Sequence, residues 1–169
     1  NLIADFTNTH PNSYLFSNHP LIWGFATWKR MWKTYDVSMP KWAEVDQDAM
    51  LRRHCFSQRE RKGVREMFDL HCGNTDPWTC DYQWTFNCLQ REAFAVTPTK
   101  NLSLNIGFAR DDSCHTKGEN PFANELDELI FPLCHPAKIA RNTAFDRKLS
   151  SITAPSQTRI IAGKTIGRI

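Results

Sequence analysis

No apolar stretch in this chain approaches the ~20 residues that a membrane-spanning helix needs, and no basic-then-apolar leader opens it, so neither an anchor nor export is expected. An excess of one charge is missing too. The 21 basic and 18 acidic side chains are mostly interspersed and leave +3, too little for the long-range field that holds nucleic acid. The one dense basic run, from Arg52 to Arg65, has Glu60, Glu66 and Asp69 among and beside its cations and reads as a solvated helix face. Metal-finger spacing is absent as well. Six cysteines are present, but no Cys-x-x-Cys or His-x-x-x-His occurs, and their wide spacing argues against a small disulfide scaffold. Only the neighbouring pairs His54-Cys55, His71-Cys72, Cys114-His115 and Cys134-His135 keep a zinc-stabilised interaction domain open as an alternative. No internal repeat is evident.

What is present is one domain's worth of chain: 169 residues, 41% apolar and 23% charged, enough to bury a core. Residue 1 is Asn, which reads as a processed end or the middle of a longer polypeptide. A short strand is expected near Tyr14-Leu15-Phe16. Phe25, Trp28 and Trp32 stand at i, i+3 and i+7 and predict a helix whose stripe, with Trp28 and Trp32, packs into the core. A second helical region, 46–70, should break near Cys55-Phe56 and restart at the capping box Ser57-x-x-Glu60, with Gly73 as its stop.

Pro77 is placed to open a further helix, where Trp78, Tyr82, Phe86 and Leu89 form one buried stripe and Asp81 lies off it. Phe94-Ala95-Val96 is strand-like, and Leu102, Leu104 and Ile106 alternate with Ser103 and Asn105 as in a half-buried strand. Residues 109–124 read as a long polar loop of the kind that often binds. A helical turn at 125–130 and a last helix at 137–149 complete the reading, with a tail beyond.

Three patches mix aromatic, glycine and polar residues more densely than a plain core needs: Ile22 to Trp32, Trp78 to Trp84, and Asn105 to Gly118. Asp81 has two readings. A carboxylate in a first helical turn is favoured by the macrodipole by ~0.3–1 kcal/mol, with no further role. Alternatively, standing between Trp78 and Trp84, it accepts a proton from a hydroxyl at a cleft wall, while the flanking rings offer flat apolar faces for stacking. Trp23-Gly24 suits a binding wall, because glycine lets a ligand approach the backbone. In the third patch Asp111-Asp112 is read as a solvated pair, and His115 and Lys117 as groups that close over a diphosphate.

The order of these motifs resembles the C-terminal half of bacterial GT-A-type glycosyltransferases, nucleotide-diphospho-sugar transferases also labelled hemolytic-protein-like. The likeness runs through Tyr14-x-Phe16-Ser17-x-x-Pro20-x-x-Trp23-Gly24-Phe25-Ala26-Thr27-Trp28-Lys29-Arg30-x-Trp32, then Trp78-x-x-Asp81-Tyr82-Gln83-Trp84. It continues through Thr97-Pro98 to Asn105-Ile106-Gly107-Phe108 and His115-Thr116, and ends in Phe131-Pro132-Leu133-x-His135-Pro136. It spans about residues 12 to 148. A more distant similarity is to the N-acetylglucosaminyltransferase I group.

The resemblance implies an α/β fold: the acceptor and catalytic half of a GT-A, Rossmann-like domain over 1–148, helices packed on a small mixed sheet, the nucleotide-binding half absent, and 149–169 a tail or linker. It implies transfer of a sugar from a nucleotide-diphosphate sugar to a glycan or other hydroxyl acceptor, with Asp81 as general base. Trp23 and Gly24 would face substrate with Trp78 and Trp84. Asn105 and Gly107, with Lys117, belong to the segment over the donor diphosphate, and His115 would ligate Mn²⁺ or Mg²⁺ in the complete enzyme. A location in the cytoplasm or at the inner membrane surface goes with that class, and a piece lacking partner strands would expose a sheet edge and self-associate. A non-catalytic carbohydrate-binding remnant is the other alternative.

Overall fold

A computed structural model describes residues 10–77, 79–109 and 126–153, and it is mixed α/β. Strand β1 (Tyr14–Ser17) pairs antiparallel with β2 (Ala95–Pro98), Tyr14 opposite Pro98 and Ser17 opposite Ala95. The helices among the described residues are α1 (Lys29–Trp32), α2 (Gln47–His54), α3 (Gln58–His71), α4 (Asp81–Gln90) and α5 (Thr143–Thr153), with 3-10 turns at Pro40–Ala43 and Ile106–Ala109. The sheet is therefore two-stranded and antiparallel rather than mixed. Among the described residues the one parallel pairing is an isolated bridge between Phe16 and Arg141.

Local chemistry starts α2 and α3. Asp46 accepts from the Ala49 amide at 2.9 Å, and Ser57 accepts from the Glu60 amide at 3.1 Å. The Glu60 carboxylate reaches back to the Phe56 N–H at 2.6 Å, one residue earlier than in the usual reciprocal box, and closes the break between the two helices. At the far end of α3, Gly73 takes φ +78° and its amide donates to the Ser38 carbonyl at 2.7 Å. The stop expected there is thus also a tie to the 33–41 loop.

Two cores result. The larger gathers Met39, Trp42, Leu51, Phe68, Phe86 and Leu89. Its centre is three rings packed edge to face, with Trp42 to Phe68 at 5.1 Å, Trp42 to Phe86 at 5.8 Å and Phe68 to Phe86 at 5.7 Å. Trp42 keeps its polar edge satisfied by donating to Asp69 at 2.8 Å. The smaller core is Leu15 of β1 with Phe145 and Leu149 of α5.

A buried polar node joins the two. Asp146 is fully buried and accepts from the Ser17 hydroxyl at 2.6 Å, the Asn18 amide at 3.1 Å and Arg141 Nε at 2.6 Å. Arg141 also donates to the carbonyls of His54 at 2.9 Å and Arg53 at 3.3 Å, two of the orphan acceptors at the end of α2. The network assigns the Asn18 amide oxygen to this side, where it accepts from His54 Nδ1 at 2.8 Å and from Arg141 at 3.2 and 3.3 Å.

Several expectations are corrected. The 25–32 stripe does not lie on one helix: Gly24 has φ +69° and Trp28 an extended backbone, so α1 is one turn long. Trp28 and Trp32 are 57% and 50% exposed and are not core residues. Residues 101–105 form no strand, because the Asn105 side chain accepts from the Gly107 amide at 2.8 Å and turns the chain into a 3-10 segment. No helix forms at 126–130. The last helix begins at Thr143 rather than 137, since Arg141 bridges to β1 and Asn142 caps the turn by accepting from the Phe145 amide at 3.0 Å. It runs to Thr153 with Leu149 and Ser150 buried, across the 148/149 boundary drawn from sequence. α4 opens at Asp81, later than Pro77 suggests.

Burial first, then the Arg141 and Arg53 cations, lower the His54 pKa from 6.5 to about 4, with Glu92 pulling the other way and His19 adding to the fall. Between pH 6.5 and about 4 the unfolded chain therefore binds a proton that the folded chain refuses, and stability falls as pH drops through that window. Urea unfolding at pH 7 and pH 4.5 should show the loss, and His54→Gln should flatten that part of the profile. Asp146→Ala strands the Arg141 guanidinium and should cost about 3–5 kcal/mol in the same measurement at pH 7.

Candidate functional site

The segment leaving β1, α1, β2 and the start of the 99–105 segment together border a hollow of about 410 Å³. Trp23, Gly24 and Phe25 form one wall, Trp84 and Cys88 of α4 the floor, and Val96 with Lys100 part of the rim. Its surroundings are apolar and open: Trp23, Phe25, Phe94 and Val96 are all exposed. Gly24 has a positional reason, since its left-handed backbone brings it against Ser103, whose Cβ would stand 3.5 Å from an added Cβ. Trp23 packs edge-on against Phe108 at 6.4 Å, which brings the 105–109 turn to this wall.

Trp84 is 4% exposed, with its ring inside a cluster of others. Phe25 lies 5.7 Å from it, Trp32 5.8 Å and Tyr35 6.2 Å, and Trp32 and Tyr35 stack at 5.1 Å with their planes 3° apart. Exposed aromatic surface is therefore offered by Trp23, Trp28 and Trp32, not by Trp84. Arg30 covers the Trp28 ring at 5.0 Å.

Asp81 begins α4 one turn before Trp84. Its Oδ1 accepts from the Thr79 hydroxyl at 2.5 Å, and its amide donates back to Thr79 Oγ1 at 3.3 Å. The side chain is half-buried and does not belong to the wall of the 410 Å³ hollow. It lies close enough to the Tyr35 phenol to matter: burial first, then the negative charges of Cys80, Asp36 and Asp81, raise that phenol's pKa.

The structure thus brings Trp23, Gly24 and Trp84 to one hollow, with Asp81 on the same helix as Trp84 but outside the wall. Asn105 and Gly107 form the turn beside Phe108 and do not line the hollow. Trp78, His115 and Lys117 lie outside the described residues. Sequence reasoning missed Tyr35, for which the i, i+3 spacing from Trp32 was the available signal, and Thr79, which stood inside the Asp81 motif.

No three His, Cys, Asp or Glu side chains converge on a metal position among the described residues, so the described Cys-His neighbours do not assemble a zinc site. No helix among them is long and apolar enough to cross a membrane. The chain matches no protein family, curated protein or solved structure with which it was compared.

Trp28→Ala, at an exposed ring, should change stability by no more than about 0.5 kcal/mol. Trp42→Ala, at the centre of the large core, should cost about 3–5 kcal/mol. Urea denaturation of the two variants separates the surface tryptophans from the structural one.

Proposed function

We propose that this chain is the acceptor and catalytic half of a GT-A-type glycosyltransferase, moving a sugar from a nucleotide-diphosphate sugar to an acceptor hydroxyl. Asp81 is the general base. The observation that carries this reading is the setting of that carboxylate. Thr79 fixes one oxygen at the head of α4, and the other has no hydrogen-bond partner among the described residues. Beside it stands an aromatic group that includes the exposed Trp32, and one turn along the helix begins the hollow of Trp23 and Gly24.

In the proposed reaction Asp81 Oδ2 takes the proton of the acceptor hydroxyl as that oxygen forms its bond to the anomeric carbon. The anomeric carbon–oxygen bond to the diphosphate breaks on the opposite face, so the configuration inverts. The exposed indole faces position the sugar rings by apolar contact. A divalent cation, Mn²⁺ or Mg²⁺, would offset charge on the leaving diphosphate. The described residues offer no cluster to hold it, and His115, its candidate ligand, lies outside them, so no step is routed through the ion.

A second reading, a carbohydrate-binding module without transfer activity, draws on Asp81 standing outside the wall of the hollow while Trp23, Trp28 and Trp32 face solvent.

Asp81→Asn keeps shape and hydrogen bonding but removes the proton acceptor. In the polypeptide as its gene encodes it, sugar transfer should fall by about 10²–10⁴-fold with donor binding nearly unchanged. Wild-type turnover in the variant would remove Asp81 from the chemistry. Sugar binding with no transfer in the unaltered polypeptide would favour the second reading.

A further inference from the structure

Two imidazoles and one guanidinium are gathered about the buried Asp146 carboxylate. Arg141 Nε donates to Asp146 at 2.6 Å, and His54 Nδ1 donates at 2.8 Å to the same Asn18 oxygen that Arg141 reaches at 3.2 and 3.3 Å. His54 is buried, and the Arg141 guanidinium also holds its carbonyl at 2.9 Å. His19, the next residue after Asn18, buries an Nε2 that has no hydrogen-bond partner among the described residues. With both rings neutral, Arg141 answers Asp146 charge for charge.

A proton on His54 breaks that balance. Nδ1 already carries hydrogen, so the ring gains a second proton only at Nε2, where it becomes a cation. Three basic groups face it: Arg141 from before α5, Arg53 from α2 and His19 from after β1. Against them stands the carboxylate of Glu92 beyond α4, itself paired with Arg53 at the surface. Burial first, then the two arginines, hold the His54 pKa at about 4. The charges that face His19 are Asp146 of α5, Glu60 of α3 and Arg141; burial outweighs the two carboxylates and lowers its pKa as well. Both carboxylates are already engaged, Asp146 by the Asn18 amide at 3.1 Å and Glu60 by the Phe56 amide at 2.6 Å.

The strain falls on a joint. Ser17 and Asn18 end β1, whose own core is only Leu15 with Phe145 and Leu149, and a two-stranded sheet is marginal by itself. The large aromatic core includes none of these residues.

From this arrangement we propose that the node is a pH-operated joint, in which protonation of His54 frees β1 and α5 from the α2–α3–α4 core while that core stays folded. The segment that supplies Trp23, Gly24 and Phe25 to the 410 Å³ hollow leaves from Asn18, so its anchor is lost in the same step. None of this depends on what the hollow binds.

Hydrogen exchange of the folded chain tests the joint at two pairs of amides. Asn18, donating to Asp146 at 3.1 Å, and Asn142, donating to the Phe16 carbonyl at 2.7 Å, report the joint. Trp42, donating to the Met39 carbonyl at 3.0 Å, and Cys72, donating to the Phe68 carbonyl at 2.9 Å, report the large core. After correction for intrinsic exchange, the joint pair should open at least about tenfold more readily than the core pair at pH 5. Between pH 7 and pH 5 its opening constant should rise by about 20-fold or more, as a site of pKa about 4 closed and 6.5 open requires. His54→Gln keeps an N–H for Asn18 and takes no proton, so most of that rise should vanish, leaving the part due to His19. Equal opening constants at the two pairs would show one cooperative unit with no joint, and an undiminished rise in His54→Gln would take the proton away from His54; either result overturns the proposal. Should the variant fail to fold, the ring signals of His54 in the unaltered chain decide. A ring that gains its proton near pH 6.5 while Asn142 stays protected would overturn the proposal, and a ring still neutral at pH 5 in the closed form is the result expected.

Discussion

The buried Asp146–Arg141 pair is the constraint on which the arrangement of the chain depends. The large aromatic core and the small Leu15–Phe145–Leu149 core are separate clusters, and apolar packing alone would leave their relative placement loosely set. Asp146 holds the end of β1 through Ser17 and Asn18, while Arg141 holds the end of α2 through the carbonyls of Arg53 and His54. A charged pair of this kind adds little net stability compared with well-packed apolar residues, but leaving one member alone is costly, so the pair penalises every other register. Arg141 and Arg147 also lie over the Phe56 ring, at 4.7 and 5.1 Å, which binds the break between α2 and α3 to the same node.

That node sets the direction in which the chain leaves β1. With Ser17 and Asn18 fixed, and the His19 amide donating to Ser17 Oγ at 2.9 Å, the segment that follows supplies Trp23, Gly24 and Phe25 to one wall of the 410 Å³ hollow. The hollow is thus bounded by elements anchored from behind, with Trp23, Phe25 and Trp28 exposed around it and Trp84 buried at its floor. Exposed apolar side chains stand around this hollow, but also elsewhere, as at Leu126, Ile130, Phe131 and Ile139, so exposure alone does not single it out. Trp28 and Trp32 misled the periodicity argument for a local reason: the left-handed Gly24 and the extended backbone at Trp28 confine the helix to Lys29–Trp32, so the i, i+3, i+7 stripe never forms.

How far the sequence could be read followed the range of the interactions. Asp46, Ser57-x-x-Glu60 and Gly73 act within a few residues, so the ends of α2 and α3 were legible from the text alone. The strand near Tyr14 and the buried face of Phe86 and Leu89 were legible too, from composition and period. The start of α5 was not, because residues 137–142 are kept out of the helix by a bridge to Phe16, a partner more than a hundred residues away in sequence. The strand expected at 102–106 failed for the opposite reason: an Asn105 side chain acting over two residues overrode an alternating pattern. At the candidate site, Trp23 and Gly24 were legible as a pair because glycine beside an aromatic ring is locally distinctive. Tyr35 carried only its i, i+3 spacing from Trp32, and the buried amides of Gln83 and Asn87 carried no mark, since a buried amide reads in sequence like one facing water.

Helix α4 borders both the 410 Å³ hollow and a second, of about 320 Å³, beside the 33–41 loop. Its period places Trp84 and Cys88, four residues apart, on the flank that floors the first hollow, and Gln83 with Asn87, also four apart, on the flank that lines the second. Phe86 and Leu89 bury the remaining side in the large core, and Asp81 stands at the N-terminal end, where the helix begins. A rigid helix clamped by a core on one side cannot shift toward one hollow without changing the other. The separation between Asp81 at the helix head and Trp84 on the floor of the first hollow is therefore set by α4 itself.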